Sequence, residues 1–123
     1  MPKTILLVDD QELMIRVVQS ALKTLGAHLP SAKTGEDAVR YIATQEAPDA
    51  IVLDYSMPDQ DGVETLRQIR ALPNGSSIPV IMLTARDQTQ IRTAAEGLQV
   101  ADFITKPFSP NFLQNTLRKL LQS

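Results

Sequence analysis

The sequence predicts an α/β domain: five strand–helix units folded into one parallel sheet with helices on both faces. Three observations carry this. Short, β-branched apolar runs alternate with amphipathic helical stretches along the whole chain. The runs are continuously apolar rather than alternating, as in strands buried on both faces. The length, 123 residues, fits one domain with little room for a second, so the domain is taken as residues 1–123.

The first strand is Ile5-Leu6-Leu7-Val8. Met14, Val17, Val18, Ala21 and Leu25 then follow the three-four spacing of a helical face, and Gly26 ends it. The segment 28–33 makes a weak strand that contains Pro30. Proline is tolerated at a sheet edge, so this strand is expected there. Thr34 and Asp37 form a capping-box pattern ahead of Ala38, Val39 and Ile42. Ala50-Ile51-Val52-Leu53 is the third strand, and Asp61 with Glu64 caps a helix carrying Leu66 and Ile69. After the breaker Pro73-Asn74-Gly75-Ser76-Ser77 comes the fourth strand, Val80-Ile81-Met82-Leu83. Ile91, Ala94, Ala95 and Leu98 give the next helix only a thin apolar stripe. Phe103-Ile104-Thr105 fits a fifth strand. Ser109-Pro110 reads as an N-cap followed by a first-turn proline, and Leu113, Leu117, Leu120 and Leu121 supply the last buried face.

Composition narrows the function classes. The net charge of −2, with both signs scattered, argues against direct nucleic-acid binding, which needs a dense basic surface. The absence of cysteine excludes disulfides, thiolate metal sites and thiol redox chemistry. No apolar run approaches the roughly 20 residues of a membrane span, and the start does not read as a signal peptide. A soluble, cytoplasmic protein without membrane contact is the expectation. The chain stops where a fifth helix should end, which suits a complete single-domain protein or an N-terminal domain.

The polar residues at the strand ends point to chemistry. Asp9 and Asp10 follow the first strand, Asp54 the third, Thr84 the fourth and Lys106 the fifth. In a parallel sheet all strand C-termini share one edge, the edge where open α/β sheets bind ligands. Neighbouring strands are ~4.8 Å apart, so in a flavodoxin-like order the first and fourth strands flank the third. The fifth strand is then about 10 Å from the third, within reach only of a long side chain such as lysine. Carboxylates crowded at this edge repel, on the order of 4 kcal/mol per pair at 4 Å and an effective dielectric of 20. A divalent cation with hard-oxygen preference, Mg²⁺, would relieve that repulsion. Lys106 could balance a phosphoryl group and Thr84 could donate to it. A carboxylate nucleophile, a metal and fixed positive charge are what in-line phosphoryl transfer needs.

Each of these residues also has an ordinary reading. Asp9 with Glu12 is itself a capping-box pattern, Asp54 could cap a loop, Thr84 could simply end a strand, and Lys106 could be a solvated charge. The functional reading rests on all of them falling at the same topological position.

The motifs Ile5-Leu6-Leu7-Val8-Asp9-Asp10, Leu53-Asp54-Tyr55-Ser56-Met57-Pro58-Asp59-Gln60-Asp61-Gly62, Leu83-Thr84-Ala85 and Thr105-Lys106-Pro107-Phe108 resemble those of the response regulator receiver family, in order and spacing, over the whole chain. The resemblance implies a doubly wound, flavodoxin-like three-layer αβα fold with strand order 2-1-3-4-5. It implies a signalling protein rather than an enzyme in the ordinary sense, phosphorylated on Asp54 with Mg²⁺ by a sensor histidine kinase or phosphotransfer protein. The implied metal ligands are Asp9, Asp10, Asp54 and the backbone carbonyl of Ser56, with Asp10 the more direct of the acidic pair. Lys106 and Thr84 are the implied phosphoryl-binding partners, and Thr84 and Phe103 the switch residues. The implied output is a change in the face of the fourth helix, fifth strand and fifth helix, read by a downstream effector protein or a fused output domain, or by a phosphorylation-dependent dimer. The Lys106-Pro107 bond is similar to one that is cis in the family.

Some positions depart from the pattern. Gln99 stands where many members have glycine, Phe103 where tyrosine is commoner, and Arg86 lies two past Thr84, where it could alter phosphate lifetime. Phe112 sits one position off the Leu113 stripe, where a polar residue is common. It is expected either to lean into solvent as a hydrophobic anchor for a partner or second copy, or to pack on the Lys106-Pro107-Phe108 loop. With Asn111 and Phe112 early in the last helix, the charge-laced dimer of winged-helix regulators is not expected. Three other readings share parts of the pattern: an FMN protein of the same topology, whose phosphate Asp9-Asp10 would repel unless a metal intervened; an aspartyl phosphatase of the haloacid dehalogenase type, which needs an aspartate where Ser56 stands; and a pseudo-receiver acting only as an interaction scaffold.

Overall fold

The structure, a computed structural model, describes residues 2–85 and 88–122. Five parallel strands, β1 (Ile5–Val8), β2 (Ser31–Ala32), β3 (Ala50–Asp54), β4 (Val80–Thr84) and β5 (Asp102–Thr105), pair in the order β2-β1-β3-β4-β5. The helices are α1 (Glu12–Leu22), α2 (Gly35–Thr44), α3 (Gly62–Arg70), α4 (Thr89–Ala94) and α5 (Pro110–Gln122). This is the doubly wound, flavodoxin-like arrangement, with β2 reduced to two residues at the edge where Pro30 placed it.

The strand pleat divides the core. Ile5, Leu7, Val52, Ile81, Leu83 and Ile104 face α1 and α5, meeting Ile15, Val18, Leu22, Leu113 and Leu117. Leu6, Val8, Ile51, Leu53, Val80 and Met82 face the opposite layer and meet Ala38, Ile42, Leu66, Ile69, Ile91 and Ala95 of the α2–α4 side. Continuous apolarity in the strands is thus explained by helices on both faces.

Local signals hold at most helix ends. The Thr34 hydroxyl accepts from Asp37 N–H at 3.0 Å and the Asp61 carboxylate from Glu64 N–H at 2.8 Å. Ser109 Oγ accepts from Phe112 N–H at 3.3 Å, with Pro110 opening α5. Gly26, with φ of 69°, closes the 3₁₀ turn Lys23–Leu25 that extends α1.

The buried stripe of α1 is rotated from the expected one, keeping Val18 and, partly buried, Met14 and Leu25. Ile15, Val18 and Leu22 are buried, whereas Val17 is 40% exposed and Leu13 76%. Apolar residues surround this helix, so two overlapping three-four series exist. Which one faces inward is set by the position of β1 and α5, not by the periodicity. The thin stripe of α4 is real: only Ile91 and Ala95 are buried there, Ala94 is exposed, and the helix is six residues long. None of the described helices is long and apolar enough to cross a membrane.

Candidate functional site

Parallel pairing puts the ends of β1, β3, β4 and β5 side by side. Asp9 directly follows β1 and Asp54 ends β3; both are only 4% exposed, while Asp10 is exposed. One carboxylate oxygen from each of the three lies within 4.8 Å of the others. Lys106, following β5, reaches back across β4 so that its Nζ lies 2.9 Å from Asp54 Oδ1 and 3.8 Å from Asp9 Oδ2. Its backbone N–H donates to Thr84 O at 2.6 Å, and the Lys106-Pro107 bond is cis. Thr84, the last residue of β4, is fully buried and pairs in register with Thr105.

The capping-box reading of Asp9 does not hold. Asp9 Oδ1 accepts from Gln11 N–H at 2.9 Å, Gln11 rather than Asp9 is the N-cap of α1, and Glu12 turns away to Lys33 at 2.8 Å. The second oxygen, Asp9 Oδ2, is buried without a hydrogen-bond partner, since 3.8 Å to Lys106 is an ion pair too long to be a hydrogen bond. Burial pushes the Asp9 carboxyl above its ordinary range; the Gln11 N–H opposes this, the neighbouring Asp54 adds to it, Lys106 lowers it and Asp10 raises it. One lysine against three carboxylates leaves the cluster net negative. A buried acceptor without a donor, in a set of hard oxygens, fits a divalent cation. Asp9, Asp10 and Asp54 therefore form a potential metal-binding triad.

The β3–α3 loop borders this cluster and carries the exposed Ser56. It is closed at its base by Gly62 N–H donating to Tyr55 O at 2.7 Å. A Cβ on Gly62 would stand 2.9 Å from Asp54 O and from Tyr55 Cα, so only glycine allows α3 to begin this close to the end of β3. Phe103 is half-buried on β5, with the Arg92 guanidinium over its ring. Two contributors were not legible in the sequence. Asp59 reaches from this loop to the first turn of α2, and Arg92 from α4 to Phe103. An aspartate after proline and an arginine on an exposed helix carry no local signal for such long-range contacts. Arg86 lies outside the described residues.

Phe112 is 53% exposed and borders a shallow groove of about 380 Å³ lined also by Ile81, Ala101, Asp102, Thr116, Lys119 and Leu120.

Comparison with known proteins gives a consistent picture. A family model described as the response regulator receiver domain matches residues 5–118. The chain is 36% identical over 122 residues to the alkaline phosphatase synthesis transcriptional regulatory protein PhoP of Bacillus subtilis (strain 168), covering 99% of this chain and 50% of that protein. It is 37% identical over 122 residues to the response regulator MprA of Mycolicibacterium vanbaalenii, covering 99% and 52%. The chain spans about half the length of the curated relatives it matches. Among solved structures it resembles the receiver domain of a sensor histidine kinase from Pseudomonas aeruginosa PAO1, which holds a magnesium ion in its active-site cleft. That match has a TM-score of 0.88 and 33% identity, with 100% of each chain covered.

Proposed function

The chain belongs to the response regulator receiver family, whose members are phosphorelay signalling modules rather than ordinary enzymes, and from this we propose that Asp54 is its phosphoryl acceptor. The donor is the phosphohistidine of a sensor histidine kinase or phosphotransfer protein. A carboxylate oxygen of Asp54 attacks phosphorus in line, the P–N bond to the donor breaks, and its electron pair returns to the imidazole.

Asp9, Asp10, Asp54 and the Ser56 carbonyl would hold Mg²⁺. When bound, that ion supplies charge neutralisation for the carboxylates and for the incoming phosphoryl oxygens. Lys106 gives up part of its contact with Asp54 and pairs with the transferred group. Thr84 turns its hydroxyl toward the same group, and the Phe103 ring follows into the space released. The face made by α4, β5 and α5 then changes its affinity for an effector protein, a fused output domain or a second copy of the chain. The curated relatives, a transcriptional regulatory protein and a response regulator, are about twice as long as this chain.

The observation that carries this reading is the buried Asp9 Oδ2 without a hydrogen bond, beside an Asp54 already engaged by Lys106. Such an arrangement costs stability unless a cation and a phosphoryl group use it. The test is intact-mass measurement after incubation with acetyl phosphate and Mg²⁺. Wild type should gain one phosphoryl group and Asp54→Asn none. Equal labelling of both proteins would remove Asp54 as acceptor, and no labelling of either would favour a pure interaction scaffold.

A further inference from the structure

The β3–α3 loop is tied down at a point that the phosphorylation chemistry does not itself require. At its base, Tyr55 N–H donates to Leu83 O at 2.9 Å and Gly62 N–H to Tyr55 O at 2.7 Å. Among the described residues, the tie from the middle of the loop to another helix is Asp59. Its Oδ1 accepts from Gly35 N–H and its Oδ2 from Glu36 N–H, each at 3.0 Å, across 24 and 23 residues of sequence. Two N–H groups meeting two carboxylate oxygens at a helix N-terminus make a charge-assisted clamp, strengthened by the helix dipole.

The clamp and the local cap divide the work. Thr34 Oγ1 takes the N–H of Asp37, and Asp59 takes the two N–H groups before it. Gly35 makes the approach feasible, because a Cβ there would run into Thr65 Oγ1 and the Gln60 side chain. Beyond the clamp, Gln60 Nε2 donates to Thr65 Oγ1 at 3.0 Å and fixes the descent into α3. Residues 56–58 are thus held between a fixed base and a fixed apex. Ser56 is the residue whose carbonyl completes the oxygen set beside Asp9, Asp10 and Asp54.

We propose that Asp59 is a positioning residue for the metal: by clamping the β3–α3 loop to the first turn of α2, it sets where the Ser56 carbonyl stands relative to the three carboxylates. The inference rests on the reading of Asp9, Asp10, Asp54 and Ser56 as the Mg²⁺ site. Asp59 touches neither metal nor phosphoryl group and acts through the loop backbone.

Thr34 provides the control, because its hydroxyl caps the same helix through the Asp37 N–H. The experiment is a Mg²⁺ titration of the full chain followed by NMR, with thermal midpoints, for wild type, Asp59→Ala, Asp59→Asn and Thr34→Ala. Asp59→Ala should bind Mg²⁺ about ten-fold more weakly, the usual size for losing a group that orients a ligand. Asp59→Asn, which keeps one acceptor oxygen, should fall between. Thr34→Ala should melt earlier but keep wild-type Mg²⁺ affinity. Wild-type affinity in Asp59→Ala, or equal weakening in Thr34→Ala, overturns the inference, since Asp59 would then serve only the helix. No saturable Mg²⁺ binding by wild type would overturn the reading of the site and this inference with it.

Discussion

The guanidinium of Arg92 lies 4.5 Å above the centroid of the Phe103 ring. Arg92 is itself held by Gln88, whose Oε1 accepts from Nη2 at 3.0 Å and from Nε at 3.3 Å, while Gln88 Nε2 donates to Thr105 Oγ1 at 2.6 Å. Phe103 and Thr105 are two apart on β5 and project to the same face of the sheet. The short α4 is therefore stitched to β5 through polar and cation–π contacts that supplement its thin apolar stripe of Ile91 and Ala95. An inward movement of the Phe103 ring has to break the stack. An exposed cation–π contact is worth about 0.5–1 kcal/mol. Arg92→Ala should accordingly raise the affinity for beryllofluoride with Mg²⁺ about two- to five-fold, measured by NMR titration. Unchanged or weaker binding would mean that the stack does not oppose the switch.

Lys106 is the cation recorded against both Asp9 and Asp54. Lys106→Ala leaves two buried carboxylates facing each other without that charge. The metal-free variant should lose about 1–3 kcal/mol at neutral pH, less than a fully buried pair because Lys106 is partly exposed. A more negative site should also bind Mg²⁺ more tightly while accepting phosphate more slowly. Weaker Mg²⁺ binding than wild type would contradict this account of the charge balance.

Burial pushes the Asp59 carboxyl up, but the N–H groups of Glu36 and Gly35 outweigh it and hold it below its ordinary range. A carboxyl lowered in the folded state contributes stability above its unfolded value, and that contribution is lost as pH falls through the folded one. The stability gap between wild type and Asp59→Asn, about 1 kcal/mol at pH 7, should therefore narrow below about pH 4. Thermal melts from pH 7 to pH 3 provide the comparison. A gap that stays constant with pH would show that charge plays no part in the clamp.

Gln99 adopts φ of 60°, a left-handed conformation that costs a residue with a Cβ about 1 kcal/mol. Arg70 holds this turn from α3, with Nε donating to Leu98 O at 2.8 Å, Nη2 to Gln99 O at 3.2 Å and Nη1 to Gly75 O at 2.9 Å. Gln99→Gly should raise the melting temperature by about 3–5 °C. Arg70→Lys, which cannot reproduce the planar fork, should cost about 1–2 kcal/mol. A Gln99→Gly variant that melts lower than wild type would contradict the strain assigned to this turn.

Phe112 stands 53% exposed beside the β5–α5 groove. Phe112→Glu should leave stability within about 0.5 kcal/mol, as at other surface positions. Sedimentation with and without beryllofluoride then reads whether the ring anchors self-association. A drop of several degrees in melting temperature with unchanged association would return Phe112 to a packing role.

The sequence by itself determined the five strand–helix units, the edge place of β2, the caps at Thr34, Asp61 and Ser109, and the residues that meet at the sheet edge. These follow from short-range rules: apolar period, turn and cap chemistry, and the fact that parallel strands end together. Tertiary structure alone decided how the apolar face of α1 is rotated: of the expected Met14, Val17, Val18, Ala21 and Leu25, Val18 is buried and Met14 and Leu25 pack partly buried beside it, while Val17 turns outward and Ile15 and Leu22 go in. It alone turned Asp9 from a suspected helix cap into a half-satisfied buried carboxylate, and joined Asp59 to α2, Arg70 to Leu98 and Arg92 to Phe103. The Asp59, Arg70 and Arg92 contacts each join a side chain to a distant backbone group or ring. Their energy depends on where other elements lie, and no local sequence pattern encodes that distance.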